Sequence, residues 1–413
     1  MKVFHAVESY TPSSNGMQEV VKRVSEHLSS RDFEVVVGTS RHPDREPDVV
    51  LSGVRVVSFE IKGNEAQGYC ASSREIVRYI EFVKTSSFDV VVLFAAQQWA
   101  TDILLPYLEE IGSKIIFVPT GFSGLYDQTY HDYYRELRKR LSLFDLCILH
   151  SKTYRDVEFI RSAGISRYVT IPNGASSDEF QIPREKPARK ELSIVTVGSH
   201  SGFKGHVESV RIMDRARLQN VTLSIVAGPL GENIHEDEHG GVVRWLISVA
   251  RRAFGQGRSC PDFCREAEKK WNRKLSWRLS RKRVEIKTLS REKLLELLKQ
   301  ADVFLFPSRI ECSPIVLYEA CAAGVPFIAS DVGNAKEIAE WTGGGVIVDS
   351  TRDSLGYVSV DQRKAARALE LLGRDAALRQ QIGNKGRDAW AKEFTWERIV
   401  GLYEDEYRKC IGP

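Results

Sequence analysis

The chain has little that would tie it to a bilayer or to an oxidising compartment. No stretch in its 413 residues approaches the roughly 20 uninterrupted apolar residues of a membrane-spanning helix. The opening Met1-Lys2-Val3-Phe4-His5-Ala6-Val7 enters directly into a strand-like run instead of a leader. Cysteines number seven and are scattered, with Cys147 and Cys321 inside apolar runs. That distribution predicts reduced thiols in a cytosolic protein, not a disulfide framework. Cys260 and Cys264 form the one close pair, with no second pair or suitably spaced histidines beside them, so the sequence predicts no metal site and no bound cofactor. An excess of one sign of charge is also lacking, 59 Lys/Arg against 55 Asp/Glu giving a formal net charge of +4.

What is present is length and alternation. A chain of this size exceeds one ordinary core and predicts two domains. Short β-branched runs at 3–7, 34–39, 89–94, 114–118, 146–149 and 168–171 alternate with helix-period segments at 17–29, 73–85 and 101–110. Such spacing means parallel βαβ units with helices on both faces of a sheet. Pro172-Asn173-Gly174 and the polar stretch 175–190 interrupt the series. It restarts with strands at 192–197, 222–227, 284–286, 303–306, 326–329 and 345–348 and helices at 205–216, 291–299 and 315–323. The predicted class is α/β, with two Rossmann-like, doubly wound parallel sheets over 1–172 and 173–393. Helices over 361–409 close the chain, the last, about 394–413, packing back on the first domain. Two such sheets in tandem predict a cleft on which their strand ends converge.

Three segments carry chemistry. After the first strand, Asn15-Gly16 opens an amphipathic helix, where a glycine permits close backbone approach and fresh N–H groups attract an anion. Val197-Gly198-Ser199-His200-Ser201-Gly202-Phe203-Lys204-Gly205 repeats the arrangement with a lysine that can neutralise a leaving diphosphate. Such a lysine can equally be a solvated surface residue. Glu311-Cys312-Ser313-Pro314-Ile315-Val316-Leu317-Tyr318-Glu319 follows an apolar strand ending in Pro307. Pro314 suits the first turn of a helix, which puts Glu319 on its second turn and the free amides of Ser313 to Val316 beside Glu311. A surface acid plus a helix glutamate in a salt bridge would give the same composition.

The series of motifs resembles the family 4 retaining glycosyltransferases of the GT-B fold. The resemblance rests on Glu311 and Glu319 with the following Ala320 to Pro326, on Gly16 with Glu19, on Ile171 to Gly174 with Phe180, on Lys204-Gly205, and on Asp331 to Asn334 with Glu337. It implies transfer of a hexose-type sugar from a nucleoside-diphosphate sugar to a hydroxyl acceptor, in polysaccharide, cell-envelope or glycolipid assembly. By that resemblance Gly16 approaches the donor phosphates and Lys204 binds the diphosphate, Glu311 bonds the donor sugar, and Glu319 holds the ribose. Ser199, His200, Ser313, Pro314, Ile315 and Val316 complete the donor site, while Asn15, Thr120 and Gly121 fall on the acceptor side. No metal is needed if Lys204 and helix N-termini replace the cation. Two departures stand out: Ser199-His200 where many relatives carry an arginine, and Val118 to Ser123 where many have a histidine. A sugar-nucleotide 2-epimerase and a non-catalytic sugar-nucleotide binder are the alternative readings.

One region falls outside the family pattern. Residues 244–283 carry thirteen Lys/Arg against three Asp/Glu, interleaved with Trp245, Phe254, Trp271 and Trp277. This is a basic insertion, about 231–282, that could meet anionic lipid or an acidic acceptor, or simply pack on the second domain. No nucleic-acid recognition module accompanies it. His235-Glu236-Asp237-Glu238-His239 matches a metalloprotease pattern literally, but its polar, glycine-flanked setting predicts a solvated loop.

Overall fold

The computed structural model describes residues 1–13, 15–181, 191–228, 259–273 and 281–412. The 235–239 stretch, Trp245, Phe254, Trp277 and most of the basic insertion lie outside them. Contacts divide the chain into two units, Met1–Ser176 with Glu311–Ile315 and Glu393–Pro413, and Ser177–Ile310 with Val316–Lys392. The short segment Glu311–Ile315 thus interrupts the unbroken 173–393 span that the sequence predicts. Its ties explain this: the Asn173 side-chain amide donates to the Ser313 carbonyl at 2.8 Å. No helix among the described residues is long and apolar enough to cross a membrane.

In the first unit the strands are β1 (Lys2–Ala6), β2 (Glu34–Ser40), β3 (Asp48–Leu51), β4 (Val54–Phe59), the hairpin β5 (Lys62–Asn64) and β6 (Gly68–Cys70), β7 (Val90–Phe94), β8 (Lys114–Val118), β9 (Leu146–Leu149) and β10 (Tyr168–Thr170). The main sheet runs β10-β9-β8-β7-β1-β2-β4-β3. Its central strands are parallel, and only β3 at one edge pairs antiparallel, with β4. β7, Val-Val-Val-Leu-Phe, is buried throughout, as a strand covered on both faces must be. Helices α1 (Gly16–Ser29), α2 (Ser73–Thr85), α3 (Trp99–Asp102), α4 (His131–Arg140) and α5 (Arg155–Ser162) flank it. The helix expected over 101–110 stops at Asp102 and continues as a 3-10 turn from Leu105 to Glu110. Pro106 is the cause, since it lacks an N–H and restricts the residue before it.

The C-terminal helix, Trp396–Ile411, belongs to this unit. It buries Trp396, Ile399, Val400, Tyr403 and Tyr407, and Arg31 beside α1 pairs with its Glu404 at 3.1 Å. The Tyr407 hydroxyl meets His5 Nε2 at 3.3 Å, and His5 Nδ1 meets Ser25 Oγ at 2.7 Å.

The second unit holds β11 (Leu192–Val197), β12 (Val221–Val226), β13 (Lys282–Lys287), β14 (Val303–Phe306), β15 (Phe327–Ser330) and β16 (Gly345–Val348), with the hairpin β17 (Ser350–Arg352) and β18 (Val358–Val360). Its sheet runs β13-β12-β11-β14-β15-β16, parallel throughout. The helices are α6 (His206–Arg215), α7 (Cys260–Arg273), α8 (Arg291–Gln300), α9 (Ile315–Ala322), α10 (Ala335–Thr342), α11 (Gln362–Arg374) and α12 (Ala376–Glu393).

The described part of the basic insertion is structural. Cys260, Cys264, Ala267 and Trp271 line one face of α7 and join the core of this unit. α7 also covers the edge strand: Glu268 accepts from the Ile286 N–H at 3.0 Å, and the Asn272 amide donates to the Val284 carbonyl at 3.1 Å. Lys282, one of the thirteen basic residues, is buried and donates to the carbonyls of Met213, Asp214 and Ala216 at the end of α6. Trp271 and Lys282 are therefore interior residues and belong to no cationic surface.

Candidate functional site

In an open parallel sheet, ligands bind beyond the carboxyl ends of the strands where the strand order reverses. In the first sheet that point lies between β1 and β7, and in the second between β11 and β14. The loops singled out in the sequence leave these strands.

Beyond β1, Asn15 caps α1 by accepting from the Gln18 N–H at 2.8 Å, and its amide donates to Ser9 Oγ at 2.8 Å. Gly16 is exposed, and a Cβ built on it meets no described atom within 4 Å. Its lack of a side chain therefore serves no contact among the described residues. Glu8, missed in the sequence, lies just past β1, and burial pushes its carboxyl up to about 7. No motif surrounds it, so only the strand boundary could have pointed to it.

Beyond β8, Thr120, Gly121 and Phe122 all have positive φ, +55°, +103° and +48°. Three such residues in succession store backbone strain. A Cβ on Gly121 would stand 2.5 Å from Cys312 Cβ, so Gly121 packs directly against the neighbour of Glu311.

In the second unit the β11 loop is held by residues after β14. The Arg309 N–H donates to the Phe203 carbonyl at 2.8 Å, and Ser308 Oγ donates to the same carbonyl at 3.1 Å. Gly205 has φ +74°, and a Cβ there would lie 2.1 Å from the Pro307 carbonyl oxygen. The stem of Lys204 lies over Gly198, where a Cβ would approach Lys204 Cβ to 2.7 Å. Lys204 and Ser199 are half-buried at this strand end, and the segment clamped to their loop leads within two residues to Glu311.

Helix α9 begins at Ile315, one residue after Pro314, and its first-turn amides have no partner within the helix. Ser313, Pro314 and Ile315 are buried, whereas Glu311 and Val316 are half-buried. Glu319 is 4% exposed. It accepts from the Arg291 guanidinium at 2.5 Å, and the same group pairs with Glu179 at 2.7 Å. Arg291 was not singled out in the sequence. Burial pushes its ionisation down, but Glu319 and Glu179 outweigh that and hold it above the ordinary value.

His200 stands apart from the donor role expected of it. Its ring is buried and turned towards His206, with the two Nδ1 atoms 3.3 Å apart, and Cys260 Sγ lies 3.6 Å from His200 Nδ1. The expectation that Cys260 and Cys264 lack histidine partners also fails: His200, His206, Cys260 and Cys264 offer ligand atoms all within 4.8 Å of one another. The histidines precede the cysteines by more than fifty residues, so only the fold joins them.

Residues 177–389 match the family model described as glycosyl transferases group 1. The chain belongs to this family. Over 430 residues, covering 100% of this chain and 98% of the relative, the glycosyltransferase is 24% identical to a GDP-mannose:cellobiosyl-diphosphopolyprenol alpha-mannosyltransferase of Xanthomonas campestris. It is 36% identical to an alpha-maltose-1-phosphate synthase of Mycobacterium tuberculosis over 120 residues, which span 29% of this chain and only 30% of that protein. Among solved structures, sucrose-phosphate synthase from Thermosynechococcus elongatus matches with a TM-score of 0.71 at 18% identity, covering 99% of this chain and 98% of that one. Anabaena HepE in complex with UDP-glucose matches with 0.67 at 14%, covering 98% and 99%. The glycosyltransferase fold is GT-B, built from two Rossmann-like parallel-sheet units.

Proposed function

We propose that this glycosyltransferase is a retaining enzyme of family 4 that moves a hexose from a nucleoside diphosphate to a hydroxyl of a glycan or lipid-linked sugar. The observation that carries the reading is the Lys204 loop. It sits at the strand-order reversal of the second sheet and is clamped, through Phe203, to the residues leading into Glu311. Similarity over the whole chain to a mannosyltransferase named for a cellobiosyl-diphosphopolyprenol acceptor supports a lipid-linked acceptor in cell-envelope assembly. The UDP-glucose complex of HepE supports a nucleotide-sugar donor. Such an acceptor would bring the enzyme to an anionic bilayer, where the lysines and arginines of 244–283, the buried Lys282 excepted, would add attraction.

In this reading the bond from the anomeric carbon to the diphosphate oxygen breaks while the acceptor oxygen attacks from the same face. The departing phosphate oxygen takes the acceptor proton. Lys204 and the amides opening α9 offset the charge that builds on the diphosphate, and this step calls for no divalent cation. Glu311 fixes the sugar hydroxyls. Glu319 takes the ribose, with the Arg291 guanidinium holding its carboxylate in place. Asn15, Gly16, Thr120 and Gly121 line the acceptor side.

The purified protein, incubated with UDP-, GDP- and ADP-hexoses, should release nucleotide from one donor class much faster when a polyprenol-diphosphate sugar is added. Release without acceptor would indicate an epimerase or hydrolase, and binding without release a non-catalytic protein. Lys204→Ala should lower kcat by 10²-fold or more, about 2.7 kcal/mol. Glu319→Ala should act mainly on the donor KM. Unchanged kinetics in both variants would remove the proposed site.

A further inference from the structure

Helix α7 presents Cys260 and Cys264 one turn apart, on the same face. Facing them are His200, from the loop after β11, and His206, the first residue of α6. The four ligand atoms lie within 4.8 Å of one another. Tetrahedral zinc, with bonds of about 2.0–2.1 Å to nitrogen and about 2.3 Å to sulfur, sets ligand separations of about 3.3 Å between nitrogens and about 3.6 Å between nitrogen and sulfur. The structure has 3.3 Å between the two Nδ1 atoms, and 3.6 and 3.7 Å from Cys260 Sγ to each of them.

The surroundings offer these groups little else. Both Nε2 atoms are buried without a hydrogen-bond partner among the described residues, and each Nδ1 meets the other ring and the Cys260 thiol. A buried set of polar groups facing only one another is costly, and a shared cation relieves it.

We propose that His200, His206, Cys260 and Cys264 form a structural Cys2His2 zinc site that staples α7 to the loop carrying Lys204. On binding, Zn²⁺ displaces one proton from each thiol, so the two thiolates cancel its charge. Four protein ligands leave no open position, and the metal takes no part in transfer. It instead ties the described end of the basic insertion to the β11 loop. Metal content is read without any transfer assay, so this inference and the proposed function can fail separately.

The full-length chain, purified under reducing conditions from zinc-replete cells, should carry about one zinc per chain by elemental analysis. Replacing zinc by cobalt should produce a thiolate-to-cobalt charge-transfer absorption, which the double variant Cys260→Ser/Cys264→Ser loses together with the metal. Because losing two ligands also weakens folding, His206→Cys provides the second arm: it keeps four ligands and should retain both the metal and the cobalt spectrum. Stripping the wild type with a chelator should lower Tm, and zinc should restore it. The proposal is overturned if the reduced wild type holds less than about a tenth of an equivalent and shows no thiolate–cobalt band. Zinc retained undiminished by the double variant overturns it too, as does a Cys260–Cys264 disulfide in thiol-trapped lysate.

Discussion

Gly16 and Gly205 occupy equivalent places in the sequence, each at the start of a helix that follows a strand, and the structure separates them by what a methyl group would meet. At Gly16 it meets no described atom within 4 Å, whereas at Gly205 it meets the Pro307 carbonyl at 2.1 Å on a left-handed backbone. Gly16→Ala should leave the urea midpoint of unfolding in place, yet weaken kcat/KM about tenfold or more, roughly 1.4 kcal/mol. Gly205→Ala should destabilise the fold by about 2–3 kcal/mol in urea titration, because the strained backbone and the clash add. A second residue-scale prediction concerns pH. Asp102 accepts from the Tyr133 hydroxyl at 2.7 Å and the Glu65 N–H at 3.1 Å, yet burial still pushes its carboxyl up to about 7. Its pKa is raised on folding, so its contribution to stability is fully present below the unfolded value, about 3.9, and is lost as pH rises through 7. The gain in Tm of Asp102→Asn over wild type should therefore be larger at pH 8 than at pH 6. An equal difference at both values would mean that the carboxyl is already ionised at the lower pH.

At the scale of elements, most buried parallel strands were legible because a strand covered on both faces is a continuous apolar run; β7, β8, β9 and β14 fall where the sequence puts them, whereas β4, its run broken by Arg55 and Ser58, was missed. β3 escaped because it is a half-exposed antiparallel edge strand with no such run, and β5 and β6 because they are three residues each. The glycine loops and glutamates were legible as motifs, since their spacing along the chain is the signal. Arg291 and the His200–Cys260 cluster were not, because their partners meet only after α6, α7 and α8 have packed. A trace of the cluster does exist in the sequence: Cys260, Cys264, Ala267 and Trp271 follow one helical face, which marks them as inward-facing. Lys282 looked like part of a cationic surface, but its ammonium closes the end of α6 on three carbonyls. Lys282→Met should keep the buried stem while leaving those carbonyls unsatisfied, costing about 2–4 kcal/mol in a urea unfolding titration. A cost within about 0.5 kcal/mol would assign the residue to the surface after all.

At the scale of the whole molecule, each unit has its own apolar core, one around Phe4, Phe59, Tyr79 and Trp99, the other around Ile194, Leu223, Val284 and Leu305. Removing residues 394–413 strips the first core's surroundings of Trp396, Ile399, Tyr403 and Tyr407 and uncovers His5, while leaving the second core untouched. Hydrogen exchange of the truncated chain should show lost protection in β1 and α1, with β11, β12 and β14 unaffected. Uniform loss across both units would mean that they unfold as one.

The return of the last helix to the first unit also orders events during synthesis. The half of the chain that emerges first cannot complete its packing until residues 393–413 have left the ribosome, whereas the later half holds most of its own segments by then. A nascent chain stalled at Lys392 should accordingly remain open to protease in its amino-terminal half, even after release, whereas a released chain that includes residues 393–413 should be resistant.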